Sequence, residues 1–169
     1  MTFSRKEFED RIAKLQAILQ NRGIGWAALF DDVSMLYYTG TIQSGVLVVP
    51  AAGDPSLFLR KSAERGASES WLNEQIAPIR SFRKVAQAVD CKGPVGIVKG
   101  RTTASHLDLF LKYFDESLSV IDITNDTTTL RAIKSQAEIE LLREAGKRQA
   151  RVFSQVPELL QLGESEWTV

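Results

Sequence analysis

Six consecutive residues, Gly25 to Phe30, are almost wholly apolar, and two aspartates, Asp31 and Asp32, stop them abruptly. A short apolar run of this kind suits a central strand covered on both faces. The aspartates can cap whatever follows. Ser34 to Tyr38 is too short for a full helix and reads as about one helical turn. Gly40 then frees the backbone to leave it. A core strand therefore delivers Tyr37, Tyr38 and a glycine turn to one end of a sheet. In open α/β sheets that end is where sites form.

The remaining chain supplies the partners such a strand needs. Ser4 followed by Glu7 is a capping-box pattern, and Phe3 and Phe8 take the hydrophobic-staple positions. Phe8, Ile12, Leu15 and Leu19 then share one helical face, and Gly23 ends the helix. Gly45 to Pro50 and Ser56 to Arg60 are strands joined by the turn signal Gly53-Asp54-Pro55, an antiparallel hairpin. A helix over 62–71 follows, weakened by Gly66.

Short strands at 75–79, 94–98 and 118–123 alternate with helices at 81–90 and 103–114. Leu107, Leu111 and Phe114 mark the apolar face of the second of these helices. Such alternation indicates crossover units and parallel pairing, so the early hairpin makes the sheet mixed. After Asn125 only helices remain. A short one runs to Ile133, and Ser135 with Glu138 forms a second capping box. That box opens a long helix whose stripe is Ile139, Leu142, Ala145, Gln149, Val152 and Val156. Pro157 is expected to kink or end it.

Two strings resemble a known family. The strand, short turn and Tyr37-Tyr38-Thr39-Gly40 are similar to the N-terminal domain of the creatinase/prolidase proteins, which usually carry Asn at the Ser34 position and often Leu at the Tyr38 position. Leu130-Arg131-Ala132-Ile133-Lys134-Ser135, followed by Glu138-Ile139, resembles the linker that joins this domain to the first helix of the catalytic domain. Leu162-Gly163-Glu164-Ser165-Glu166 resembles the turn after that helix.

The resemblance implies a three-layer α/β/α, ribonuclease H-like domain over 1–130, with a mixed sheet of five or six strands in the order 3-2-1-4-5. Residues 131–169 would then be the linker and first helices of a catalytic domain. It further implies an Xaa-Pro dipeptidase or aminopeptidase as the parent hydrolase. Creatinase-like amidinohydrolysis and a stand-alone protein-binding module are the alternatives. By the same resemblance the loop Thr41-Ile42-Gln43-Ser44 would trim a substrate pocket, in company with Tyr37 and Tyr38. The bare residues allow a plainer reading, with the tyrosines as core and rim packing and the loop as an ordinary connection.

Family catalysis uses two divalent ions (manganese, cobalt or zinc) held by two Asp, one His and two Glu, all placed beyond the linker. This chain has a single histidine, His106, read as a surface or capping residue. It is expected to bind no catalytic metal and to cleave nothing alone. Its expected partners are its own catalytic domain, a second copy and a proline-containing peptide.

Lys plus Arg is 21 and Asp plus Glu is 21, which leaves no net charge to favour nucleic acid or a membrane surface. Cys91 is the one cysteine, so no internal disulfide can form. No basic segment followed by an apolar core opens the sequence, and a cytoplasmic protein is the expectation. Asn125-Asp126-Thr127 is then a chance sequon.

Overall fold

The computed structural model describes residues 3–90 and 92–159 together with positions 163, 165 and 167. Cys91, Leu162, Glu164 and Glu166 lie outside the described residues. The chain divides into two compact units, Met1–Ala132 and Ile133–Val169.

Among its described residues the first unit contains six strands: β1 (Trp26–Leu29), β2 (Gly45–Pro50), β3 (Ser56–Leu59), β4 (Ile76–Pro78), β5 (Val95–Ile97) and β6 (Val120–Asp122). Its helices are α1 (Arg5–Asn21), α2 (Asp32–Thr39), α3 (Ala63–Glu69), α4 (Arg83–Ala88), α5 (Ala104–Leu111) and α6 (Thr124–Ala132). The strands form one mixed sheet in the order β4-β3-β2-β1-β5-β6. Within it β1 pairs antiparallel with β2 and parallel with β5. All four residues of β1 are buried, as the unbroken apolar run requires. Ala27 and Leu29 enter one core with Phe8, Ile12, Leu15 and Leu19 of α1. Trp26 and Ala28 enter a second core with Val85 of α4 and Phe110 of α5. Successive side chains of a strand point to opposite faces, so one strand seeds both cores and the architecture has three layers.

The expected strand order needs one correction. The strand after the hairpin does not lie beside β1. It pairs parallel to β3 at the sheet edge, with Leu57 opposite Ile76, and the next strand, β5, takes the place beside β1. The reason is the short crossover. The seven-residue α3 returns the chain to the neighbouring position, whereas reaching the far side of β1 would mean passing over β2 as well. Pro78 ends β4 on this outer edge, where a missing N–H costs the ladder nothing. Only β2 runs against the others. The carboxyl ends of the other five strands therefore gather on one rim.

Local signals mostly act as the sequence reads. Ser4 Oγ accepts from the Glu7 amide at 3.3 Å, and Phe8, Ile12, Leu15 and Leu19 are all buried. Thr103 caps α5 in the same way. Shorter than the expected 103–114, α5 hides Phe110 completely, a residue between the Leu107 and Leu111 positions that the narrower stripe passes over. At Gly66 of α3 a β-carbon would meet the end of the buried Leu59 side chain, which would have to shift to admit it. Larger than expected is α2, which has eight residues rather than one turn. Asp31 Oδ1 accepts from the Ser34 amide at 3.0 Å, and Gly40 closes the helix at φ 83°. Good caps at both ends extend what the apolar pattern alone leaves short.

In the second unit, α7 (Gln136–Leu159) opens with a reciprocal capping box. The Ser135 amide donates to Glu138 Oε2 at 2.9 Å, and the Glu138 amide donates to Ser135 Oγ at 3.2 Å. Pro157 does not end the helix, which continues to Leu159. Leu142, Val152 and Phe153 are exposed along it.

Gly45 lies so close to the Phe58 carbonyl on the paired strand that a β-carbon would overlap it. Backbone on both sides leaves nothing flexible to yield. Gly45→Ala should lower unfolding free energy by about 1–3 kcal/mol. The urea midpoint measured by circular dichroism checks this.

Candidate functional site

The rim at the carboxyl end of β1 is built by α2, the loop that follows it, and the end of α3. Tyr38 is fully buried, and its ring meets that of Tyr37 edge-on at 4.9 Å. Burial chiefly, and the neighbouring Tyr37 after it, push the Tyr38 hydroxyl pKa far up, so it stays protonated at any physiological pH. The Tyr38 carbonyl accepts from Trp71 Nε1 at 2.9 Å. The Tyr37 carbonyl accepts from Arg11 Nη1 at 2.8 Å.

Sequence reading missed the roles of Arg11 and Glu69, as it did that of Trp71. Arg11 is a buried cation on the apolar face of α1, paired with Glu7 at 3.1 Å. Its guanidinium lies 4.4 Å from the Phe3 ring centroid and 4.2 Å from that of Tyr37. One signal could have found it: position 11 falls three residues after Phe8 and four before Leu15, inside the apolar stripe.

Glu69 anchors the loop. Thr41 is buried, and its hydroxyl donates to Glu69 Oε2 at 2.6 Å. Gln43 Nε2 reaches the same oxygen at 3.5 Å, and Arg65 Nε holds the other at 2.6 Å. The Thr41 hydroxyl also accepts from the Gln43 amide, and Thr39 Oγ1 accepts from the Thr41 amide. Ser44 contributes its carbonyl, which accepts from the Arg60 amide at 2.8 Å. The Thr41 and Gln43 side chains are thus turned toward α3. The apolar Ile42 is left 54% exposed, at the same rim as Val33 and Leu36, which share a face of α2. Nothing in the spacing of residues 62–71 marks Glu69, because the contact joins positions 28 residues apart.

His106 is not simply a surface residue. Its ring packs 5.0 Å from Phe30 and stacks on Phe82 at 5.4 Å. Burial first, then the charge of Arg60, lowers its pKa. Its backbone amide does join the cap, donating to Thr103 Oγ1 at 3.3 Å. Among the described residues no group of three or more His, Cys, Asp or Glu could hold a metal ion. Among the same residues no helix is long and apolar enough to cross a membrane.

The model of the creatinase/prolidase N-terminal domain matches residues 11–133. The chain belongs to that family. A probable dipeptidase PepE of Mycobacterium tuberculosis is 26% identical over 180 residues, which cover 97% of this chain and 46% of that protein. The Xaa-Pro dipeptidase of Bacillus anthracis superposes with a TM-score of 0.80 at 21% identity, covering 94% of this chain and 45% of that one. The N-terminal domain of the cytoplasmic peptidase PepQ from Mycobacterium tuberculosis superposes with a TM-score of 0.63 at 21% identity, covering 72% of this chain and 98% of that one. These structural likenesses establish the fold, a creatinase/prolidase N-terminal α/β domain followed by the helical segment α7. The chain spans about half the length of the curated relatives it matches.

The Glu69 carboxyl is held below the usual glutamate range, first by the Thr41 hydroxyl and then by Arg65. A depressed pKa means that the fold favours the ionised form. Its contribution is present at neutral pH and is lost as pH falls through the folded-state value. Thr41 and Gln43 amide shifts, followed by NMR during acid titration, should move together below the usual glutamate range. In Glu69→Gln they should stay flat there.

Proposed function

We propose that this chain serves as the non-catalytic N-terminal domain of a cytoplasmic, proline-specific metallopeptidase, an Xaa-Pro dipeptidase or aminopeptidase. The observation that carries the reading is the family match over most of the α/β unit, joined to the dipeptidase descriptions of the relatives. The domains would be 1–130, the α/β part, and 131–169, the linker and first helices of the catalytic domain. Two divalent ions, manganese, cobalt or zinc, would be held by that catalytic domain. The ligand set would come from there, since this chain's own histidine is packed between phenylalanines.

Within such an enzyme the rim of Tyr37, Tyr38, Thr41, Ile42, Gln43 and Ser44 would shape the substrate pocket. An anchored loop that points one apolar side chain outward suits contact with a proline ring or with a neighbouring subunit. The partners would be the catalytic domain, a second copy of the protein and a proline-containing peptide. The isolated chain should show no turnover of Xaa-Pro dipeptides with added manganese or cobalt. In the complete enzyme Ile42→Asp should raise KM by about tenfold with bound metal unchanged. A KM within error of the parent would sink the pocket-shaping role.

A second reading, a stand-alone protein-binding module, draws on the exposed Leu142, Val152 and Phe153 of α7. Apolar side chains exposed along one helix favour association. Sedimentation of the full chain beside one ending at Lys134 tests it. A dimer that becomes monomeric on truncation supports assembly through α7, and a monomer at high concentration excludes it.

A further inference from the structure

The rim of the sheet carries a second feature, at the carboxyl ends of β3 and β4, that the peptidase reading leaves unused. Arg60 follows β3, Arg80 and Ser81 follow β4, and Arg83 and Lys84 open α4. They line a cavity of about 570 Å³ floored by the buried Ile79. An adjoining cavity of about 230 Å³ shares Arg60, Arg80 and Ser81 and adds the aromatic Phe82 and Tyr113. Among the described residues no acidic side chain lines either space.

None of these cations takes part in an ion pair among the described residues. Lys84 Nζ donates to the Pro78 carbonyl at 3.1 Å, and Arg83 lies 5.8 Å from the Tyr113 ring centroid. Elsewhere Arg5, Lys6, Arg11, Arg22, Arg65 and Lys147 each have a carboxylate. Three guanidinium groups and an ammonium line this one cleft in a chain with no net charge. The charge of Arg60 also reaches the His106 ring.

We infer that this cleft binds a small molecule bearing two or more phosphate groups. Guanidinium forks match phosphate oxygens bidentately, and a single carboxylate would neutralise only one of the four cations. The volume falls in the range of small-ligand sites. Carboxyl ends of parallel strands are where open α/β sheets place ligands. The apolar floor and the flanking Phe82 and Tyr113 add a surface for an organic body attached to the phosphates. This inference does not rest on the peptidase reading and involves none of its residues.

The test is calorimetric titration of the full chain with inorganic tripolyphosphate at physiological ionic strength. Saturable binding of one tripolyphosphate per chain is expected. Replacing both Arg80 and Arg83 by Ala should weaken it about tenfold or more, with Arg60→Ala acting in the same direction. Replacing Lys147 and Arg148, a basic pair in α7, by Ala should change it by less than about twofold. Arg60, Arg80 and Arg83 are exposed, so thermal midpoints should stay close to the parent. Should a double variant melt early, amide shifts of Ile79 to Lys84 on adding tripolyphosphate to the parent chain replace it. Absence of saturable binding overturns the inference, as does equal weakening by both double variants. Tighter binding of poly-glutamate or of a single-stranded oligonucleotide than of tripolyphosphate also overturns it.

Discussion

Two-sided burial of β1 is the constraint on which the rest of the domain depends. Four residues with no charged side chain must be covered above and below and paired on both edges. Coverage comes from α1 on one face and from α4 and α5 on the other. Pairing comes from the hairpin on one edge and from β5 on the other. Phe30, at the end of the strand, packs edge-on against Phe82 and Phe110 and so ties β1 to both helices of the second layer. Removing this strand would leave the hairpin and the parallel strands as separate pieces without a shared core.

The rim chemistry follows from that placement. Because β1 stops at Leu29 and α2 begins three residues later at Asp32, the residues after it are presented at the edge instead of being folded under the sheet. The loop 41–44 then bridges α2 to β2 and is fastened to α3 through Glu69. Its rigidity therefore comes from a partner distant in sequence. That is a fair foundation for a surface that must hold one apolar group in place against another molecule.

Much of the fold was legible because it is written in local chemistry. Ser4 with Glu7, Asp31 with Gly40, and Ser135 with Glu138 are capping signals whose donors and acceptors are a few residues apart, and each appears at its helix end. The apolar run of β1 likewise carries its burial within itself. What was illegible is non-local. The position of β4 depends on how far a seven-residue helix can carry the chain, not on the composition of the strand. The length of α2 depends on its two caps acting together. Of the rim, the chain segment was visible, but its anchors Glu69 and Trp71 were not, because those contacts span 28 and 33 residues. Arg11 was hidden for a different reason: a cation on an apolar stripe reads as an interruption until the aromatic rings and the carbonyl that receive it are seen.

Helix ends normally leave several carbonyls to solvent and open first. In α2 the Leu36 carbonyl accepts from the helix's own C-cap Gly40, and two more are occupied from outside: that of Tyr37 by Arg11 of α1, and that of Tyr38 by Trp71 beyond α3. Fraying of α2 therefore requires breaking contacts to two other elements at once. Its amides should exchange with solvent at the pace of the α1 core, as one cooperative unit, and not at the pace of a surface turn. The segment that bears the rim would thus be among the last parts of the domain to open, which separates this rim from the mobile loops on which binding surfaces are often built.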